Sequence, residues 1–325
     1  MFTMRFDMRA PAHGASTTDL YRTVIEMAAW AENNGGLATM LCEHHGADDG
    51  YLPVPVPLAA AIASRTTTMP IVIAVVLLPL YHPTRLAEDM VVLDIISGGR
   101  VSYVGGVGYR ASEYEMYGVD LHRRGAIAEE YLAFLLQAKR GEPFEYQGRH
   151  VHVTPAPVTP GGPSIAWGGG SIAAARRAGR YGLDFFAQKG GDDLRAAYEE
   201  ESRKHGHEPG NCILPERNAA TTIFVAEDVD KAWDELGPYL MHDVLSYASW
   251  NEDNKDTASL SFVSTAEELR AENISHRILT VDEAIEFARS GRMLGLHPLI
   301  GGLPPEIAWP YLQLVADKVV PALAG

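Results

Sequence analysis

Ile71 to Leu78 is an unbroken aliphatic run, rich in β-branched residues and free of polar alternation. Such a run suits a strand covered on both faces, and parallel sheets flanked by helices provide that cover. Seven further strands are expected, at Arg5–Met8, Leu37–Cys42, Val101–Val104, Ser164–Trp167, Leu183–Ala187, Thr221–Val225 and Met293–His297. Helical patterns separate them. Val24, Met27, Ala28 and Ala31 repeat at helical spacing behind the N-cap candidates Ser16 to Asp19, and Asn34-Gly35-Gly36 stops that helix. Eight strand–helix alternations argue for a closed (β/α)8 TIM barrel. A doubly wound sheet is the runner-up, but no Gly-x-Gly-x-x-Gly follows the first strand. The 325 residues read as a single domain with no dividing linker.

Two stretches depart from the alternation. Phe144 to Val153 alternates around Gln147-Gly148, which predicts a β-hairpin excursion after the fourth helix. Gly237 to Arg292, after strand seven, is the least regular part, and its centre, Asn251 to Asp256, is polar enough to be mobile.

Charge and cysteine content narrow the function classes. Lys and Arg number 27 against 42 Asp and Glu, a net charge of −15, which argues against a nucleic-acid partner. Cys42 and Cys212 alone make neither a disulfide framework nor a cysteine zinc site. The N-terminus lacks a signal peptide's apolar core, and the run Pro70–Leu80 is shorter than the roughly 20 residues a bilayer needs. A cytoplasmic protein without a membrane partner is expected.

Chemistry is expected at the carboxyl ends of the strands. Glu43-His44-His45 stands at the end of strand two, where two imidazoles and a carboxylate must find partners or work. The plain alternative is a capped strand end with satisfied histidines. Gly168-Gly169-Gly170-Ser171 lies between a strand and a helix, so its N–H groups and the helix N-terminus suit an anion, or simply a tight turn. Gly105-Gly106-Val107-Gly108 is a second place for close backbone approach or a turn. His150 and His152 share one side of the hairpin, but no third ligand lies nearby in sequence, so no metal is assigned. A metal-dependent barrel hydrolase would want His-x-His at the end of strand one; Asp7-Met8-Arg9 stands there.

Taken in order, several motifs resemble one family. They are Glu43-His44-His45; Leu78-Pro79-Leu80-Tyr81-His82-Pro83-Thr84-Arg85-Leu86-Ala87-Glu88-Asp89; Ser97-Gly98-Gly99-Arg100-Val101; and Glu113-Tyr114-Glu115-Met116-Tyr117-Gly118-Val119-Asp120. Gly169-Gly170-Ser171 and His297-Pro298-Leu299-Ile300-Gly301-Gly302-Leu303-Pro304-Pro305 complete the set. The chain resembles the bacterial luciferase-like flavin-dependent monooxygenases over nearly its whole length, least between Gly237 and Arg292.

The resemblance implies a barrel that binds reduced FMN and uses dioxygen to oxidise a small organic substrate. His44 would be the catalytic proton-transfer group, with Glu43 and His45 orienting it or completing its network. A non-prolyl cis peptide would fall at Ala74-Val75. The flavin ring would rest on the ends of strands three and four, with Gly105 and Gly106 giving room beside Val107, and its phosphate would meet Gly169, Gly170 and Ser171. Light-emitting members, similar as they are, carry a cysteine and an arginine where this chain has Gly106 and Val107. That departure argues against light emission and leaves Arg110, Arg123, Arg124 and Arg176 as candidate partners for the phosphate. Segment 237–292 takes the place of the family's insertion, a lid, whose Tyr247, Trp250 and Phe262 would line an apolar pocket or pack the lid down. A separate flavin reductase is implied, since no nicotinamide motif is visible, and so is a homodimer. Two rival readings keep the barrel: deazaflavin-dependent hydride transfer, and a flavin-binding partner subunit without activity.

Overall fold

Phe2, Met4 and Phe6 are buried while Thr3 and Arg5 are half-buried, the period of two that makes β1 (Phe2–Phe6) a strand. The expected Arg5–Met8 lies too late: Met8 sits at φ 62°, where an extended strand cannot continue. Ser16 caps α1 (Thr17–Ala31), its hydroxyl accepting from the Asp19 N–H, and β2 (Gly36–Leu41) follows. The computed structural model describes residues 1–216, 219–251, 257 and 260–324. The run 252–256, expected to be mobile, lies outside the described residues.

The chain continues through α2 (Pro55–Arg65), β3 (Ile71–Leu77), α3 (Pro83–Ser97) and β4 (Val101–Gly106). It then forms α4 (Ala111–Tyr117), a short helix the apolar spacing did not reveal, and α5 (Arg124–Ala138). β5 (Phe144–Tyr146) and β6 (Arg149–Val151) pair antiparallel as the expected hairpin. Next come β7 (Ser164–Gly169), α6 (Ile172–Arg180), β8 (Phe185–Ala187), α7 (Asp192–Lys204) and the two-residue β9 (Cys212–Ile213). β4 and β7 each run two residues beyond their expected ends, so Gly105, Gly106, Gly168 and Gly169 are strand residues.

The remainder corrects the expectation of irregularity. After β10 (Thr222–Val225), α8 (Val229–Trp250) carries on past Gly237, where the irregular part was expected to begin, with Pro238 inside the helix. Among the described residues of that segment, α9 (Ala266–Glu272), β11 (His276–Leu279) and α10 (Val281–Arg289) follow. β12 (Leu294–Leu296), α11 (Pro305–Leu314) and α12 (Val320–Ala324) follow, with a π-helical turn at Val315–Val319 between the last two.

By internal contacts the chain divides into two units. The first comprises Met1–Leu41, Ala47–Pro53 and Glu216–Gly325. Its strands run parallel in the order β11-β10-β12-β1-β2. The second comprises Cys42–Gly46 and Val54–Pro215, with parallel order β3-β4-β7-β8-β9 and the hairpin apart. All eight expected strands are present, joined by β9 and β11. The architecture is α/β, with parallel strands alternating with helices.

Candidate functional site

Past the end of β2 the chain runs without regular structure through Cys42–His44 and bends at His45-Gly46, where Gly46 takes φ 58°. Glu43 and His45 pair with each other: His45 Nε2 lies 3.0 Å from Glu43 Oε1. His44 Nδ1 lies 2.8 Å from Glu113 Oε1. Glu43 and His45 were expected to orient His44 or complete its network; neither side chain is the one bonded to His44 Nδ1. The carboxylate on His44 is Glu113, in the first turn of α4, where an acidic side chain complements the helix dipole.

Glu113 is fully buried, and its Oε1 also accepts from the His45 N–H at 2.9 Å and Arg110 Nη1 at 3.3 Å. Burial pushes this carboxyl up, but the hydrogen bonds from the His44 ring and the His45 N–H, with the nearby Arg110 guanidinium, outweigh it and hold the group below the usual carboxylate range. A carboxylate only accepts, so His44 Nδ1 carries the proton and Nε2 presents its lone pair. Tyr109 is the hydroxyl facing that nitrogen, at 3.4 Å, with its ring edge-on to the imidazole. Glu113 Oε2 has no hydrogen-bond partner among the described residues.

Glu43 is the opposite case. It accepts from Tyr81 OH at 2.8 Å, from His45 and, at 3.4 Å, from the Leu77 N–H. Burial drives its carboxyl upward, and those three donors only partly offset the rise. His45 Nδ1 faces Tyr117 OH at 3.0 Å. Arg110 Nη1 also holds the His45 carbonyl at 2.8 Å, which ties α4 to the histidine loop.

Ala74–Val75 is a cis peptide, at the position the resemblance implied. Gly105 and Gly106, expected to give room beside a flavin, are tightly packed where a side chain would stand. A Cβ on Gly106 would come 2.3 Å from Val75 Cγ1, and one on Gly105 would come 2.9 Å from Leu78 Cδ1 and 3.1 Å from Trp167 Cζ3. These glycines serve close packing within the sheet. The Val107 carbonyl accepts from the Tyr114 hydroxyl.

At the other expected contact, Ser171 caps α6, its Oγ accepting from the Ala174 N–H at 3.2 Å. Gly169 is held by packing, since a Cβ there would meet Ala174 Cβ at 2.7 Å. Gly170 opens outward: nothing approaches its Cβ position closer than Gln188 Cβ at 3.6 Å. The first turn of α6 holds no acidic residue. Open space, backbone N–H groups and an unopposed helix N-terminus fit a phosphate. Of the arginine candidates, Arg110 serves Glu113, Arg124 donates to the Leu121 carbonyl at 3.1 Å, and Arg123 and Arg176 are exposed.

The first unit holds a separate buried ion network. Arg9 is wholly buried, with Nε 3.2 Å from Asp7 and Nη1 2.9 Å from Asp49. The rings of Tyr51, Tyr247 and Trp250 surround its guanidinium at 4.8, 4.9 and 4.7 Å. Tyr247 and Trp250 therefore wrap a cation, where an apolar pocket was one expectation; Phe262 is partly exposed. Donor atoms of Asp7, Asp243 and His297 lie within 4.8 Å of one another, yet the set does not fit a metal. Arg5 Nη2 donates to His297 Nδ1 at 3.1 Å, so the ring proton is on Nε2, facing Asp7 at 3.6 Å. Two guanidiniums already balance the two carboxylates.

The sequence profile described as luciferase-like monooxygenase matches residues 4–288. The chain belongs to the luciferase-like monooxygenase family. An alkanal monooxygenase alpha chain of Photorhabdus laumondii is 24% identical over 244 residues, 72% of this chain and 67% of that one. The first curated relatives are matched over about two fifths of their own length. A monooxygenase of Streptomyces bottropensis shares the fold with a TM-score of 0.77 at 21% identity, 99% of each chain being covered. The oxygenating constituent of 3,6-diketocamphane monooxygenase of Pseudomonas putida, solved with FMN, has a TM-score of 0.69 at 22% identity, covering 99% of this chain and 98% of that one. At these identities the solved structures establish the shared luciferase-like fold. No helix among the described residues is long and apolar enough to cross a membrane.

Proposed function

We propose that the protein is the oxygenase of a two-component system, taking reduced FMN from a separate reductase and oxidising a small organic substrate with dioxygen. The observation that carries this reading is His44, held by Glu113 in the tautomer that makes Nε2 the acceptor nitrogen, facing the Tyr109 hydroxyl. When bound, reduced FMN supplies the two electrons with which dioxygen delivers one oxygen atom to a substrate and the other to water.

The chain's own residues do the rest. His44 Nε2 accepts or returns a proton near neutral pH, where an imidazole changes charge most readily. Glu113 holds the ring in place and stabilises it when charged, and Arg110 keeps Glu113 ionised. Gly170, Ser171 and the first turn of α6 bind the phosphate. Leu77, Leu80 and Tyr114, packed with Val75, form an apolar wall that keeps water from the strand ends. A homodimer belongs to this reading, supported by Val92, Ile95 and Ile96, which lie exposed on one face of α3.

Titration of the purified protein with FMN and the deazaflavin coenzyme, each oxidised and reduced, tests the cofactor. Reduced FMN is expected to bind most tightly; preference for the deazaflavin would overturn the reading. His44→Ala is expected to stop substrate-dependent oxygen uptake while keeping flavin affinity. Uptake at the parent rate would remove His44 from the chemistry, and tight flavin binding without uptake by the parent protein would make it an inactive flavin-binding partner.

A further inference from the structure

The His44–Glu113 pair uses neither Glu43 nor the His45 side chain, yet both are buried, and burying such groups idle is costly. They belong to a second chain of hydrogen bonds that runs from solvent inward. Tyr117, 41% exposed, places its hydroxyl 3.0 Å from His45 Nδ1. His45 Nε2 is 3.0 Å from Glu43 Oε1, and Tyr81 OH is 2.8 Å from Glu43 Oε2. Donor directions follow from chemistry. Ionised Glu43 only accepts, so His45 carries its proton on Nε2, and Nδ1 accepts from Tyr117.

We propose that Tyr117 and His45 form a proton path from solvent to Glu43, which stores a proton beside the flavin site independently of His44. In the step, the Tyr117 O–H proton moves to His45 Nδ1 as the Nε2 proton moves to Glu43 Oε1. Water reprotonates the Tyr117 oxygen. One proton is taken from solvent, the Glu43 carboxylate becomes a neutral carboxyl, the His45 ring stays neutral in its other tautomer, and no electrons move.

Three features of the surroundings suit a store. His45, Tyr81 and the Leu77 N–H are the groups bonded to Glu43, and no guanidinium or ammonium pairs with it among the described residues. Burial favours the neutral carboxyl, as the upward drive on Glu43 shows. Both neighbouring hydroxyls stay protonated through the neutral range. Burial and the Glu43 charge raise Tyr81, with Tyr117 and Asp89 adding to it, and burial raises Tyr117, with Glu43 and Glu113 adding to it. The use of the store rests on the monooxygenase reading, because turning one atom of dioxygen into water consumes protons. Its filling is a property of the protein without cofactor.

The test is a pH jump on the flavin-free protein followed by infrared absorption of protonated carboxyl groups, with the Glu43 band identified as the one lost in Glu43→Gln. Glu43 is expected to titrate above the ordinary carboxylate range. Tyr117→Phe should slow its protonation at least tenfold without moving the midpoint, and His45→Gln should abolish the fast phase. His44→Gln should leave both rate and midpoint unchanged. Protonation of Glu43 in Tyr117→Phe at the parent rate, or the absence of any band that Glu43→Gln removes, would overturn the proposal. Flavin titrations of the same variants separate the two readings: failure of flavin to bind the parent protein sinks the monooxygenase reading and leaves the proton path standing.

Discussion

Glu113 Oε1 accepts the Nδ1 proton of His44 at 2.8 Å from a fully buried position on α4. The same oxygen receives the His45 N–H, so one atom fixes both the tautomer of the imidazole and the path of the loop that carries it.

Glu113→Gln tests that double duty. The amide keeps the shape, but it can present N–H to His44 and so favour the opposite tautomer. Turnover with reduced flavin is expected to fall on the order of 10²-fold or more, the range for a misplaced proton in general base chemistry. Flavin affinity should not change, and imidazole 15N shifts should show the proton moved from Nδ1 to Nε2. A parent-like rate with a switched tautomer would reduce Glu113 to a scaffold.

Gly170→Asp addresses the phosphate. The Cβ has room, its nearest neighbour being 3.6 Å away, and an acid at a helix N-terminus stabilises the helix by about 0.3–1 kcal/mol. Stability should therefore hold or rise while FMN affinity falls tenfold or more, about 1.4 kcal/mol. Riboflavin, which lacks the phosphate, should bind both forms alike. Equal losses for the two ligands would move the phosphate elsewhere.

Legibility from sequence followed how local each signal was. The strands announced themselves because buried aliphatic runs such as Ile71–Leu77 carry their own pattern. Glu43-His44-His45 stood out because polar groups at the end of an apolar run need a reason. Glu113 did not, since 69 residues separate it from His44 and it sits among other acids in a short helix without apolar spacing. The Arg9 cage was hidden for the same reason, its rings coming from Tyr51, Tyr247 and Trp250. In segment 237–292 the expected irregularity began too early, because α8 runs on to Trp250 and accommodates Pro238, a residue that ordinarily breaks a helix.

Gly106→Ala separates packing from cofactor room. The added methyl would lie 2.3 Å from Val75 Cγ1, and overpacking of this kind costs about 1–3 kcal/mol. A lower urea midpoint is expected in flavin-free protein. Val75→Ala should relieve it, so that the double variant is more stable than the sum of the singles predicts. Strict additivity would mean that the two positions do not meet.

Asp49 sets an acid limit on the first unit. Burial raises its carboxyl, but the His242 hydrogen bond and the charge and hydrogen bond of Arg9 bring it down to about 2, from an ordinary 3.8. The folded state therefore binds this proton less readily than the unfolded state does. Asp49 contributes its full stabilisation above its unfolded value and loses it as pH falls toward the folded one. Asp7 and Asp243, held low against burial by His297 and Arg9 and by His276, Arg5 and Arg9 respectively, act with the same sign. Asp49→Asn leaves Arg9 Nη1 facing a neutral amide, so it should lower the urea midpoint at neutral pH. Near pH 3, where the parent has already lost part of this contribution, the gap between the two proteins should narrow. A gap that stayed constant or widened on acidification would mean that Asp49 is not ionised against Arg9 in the folded protein.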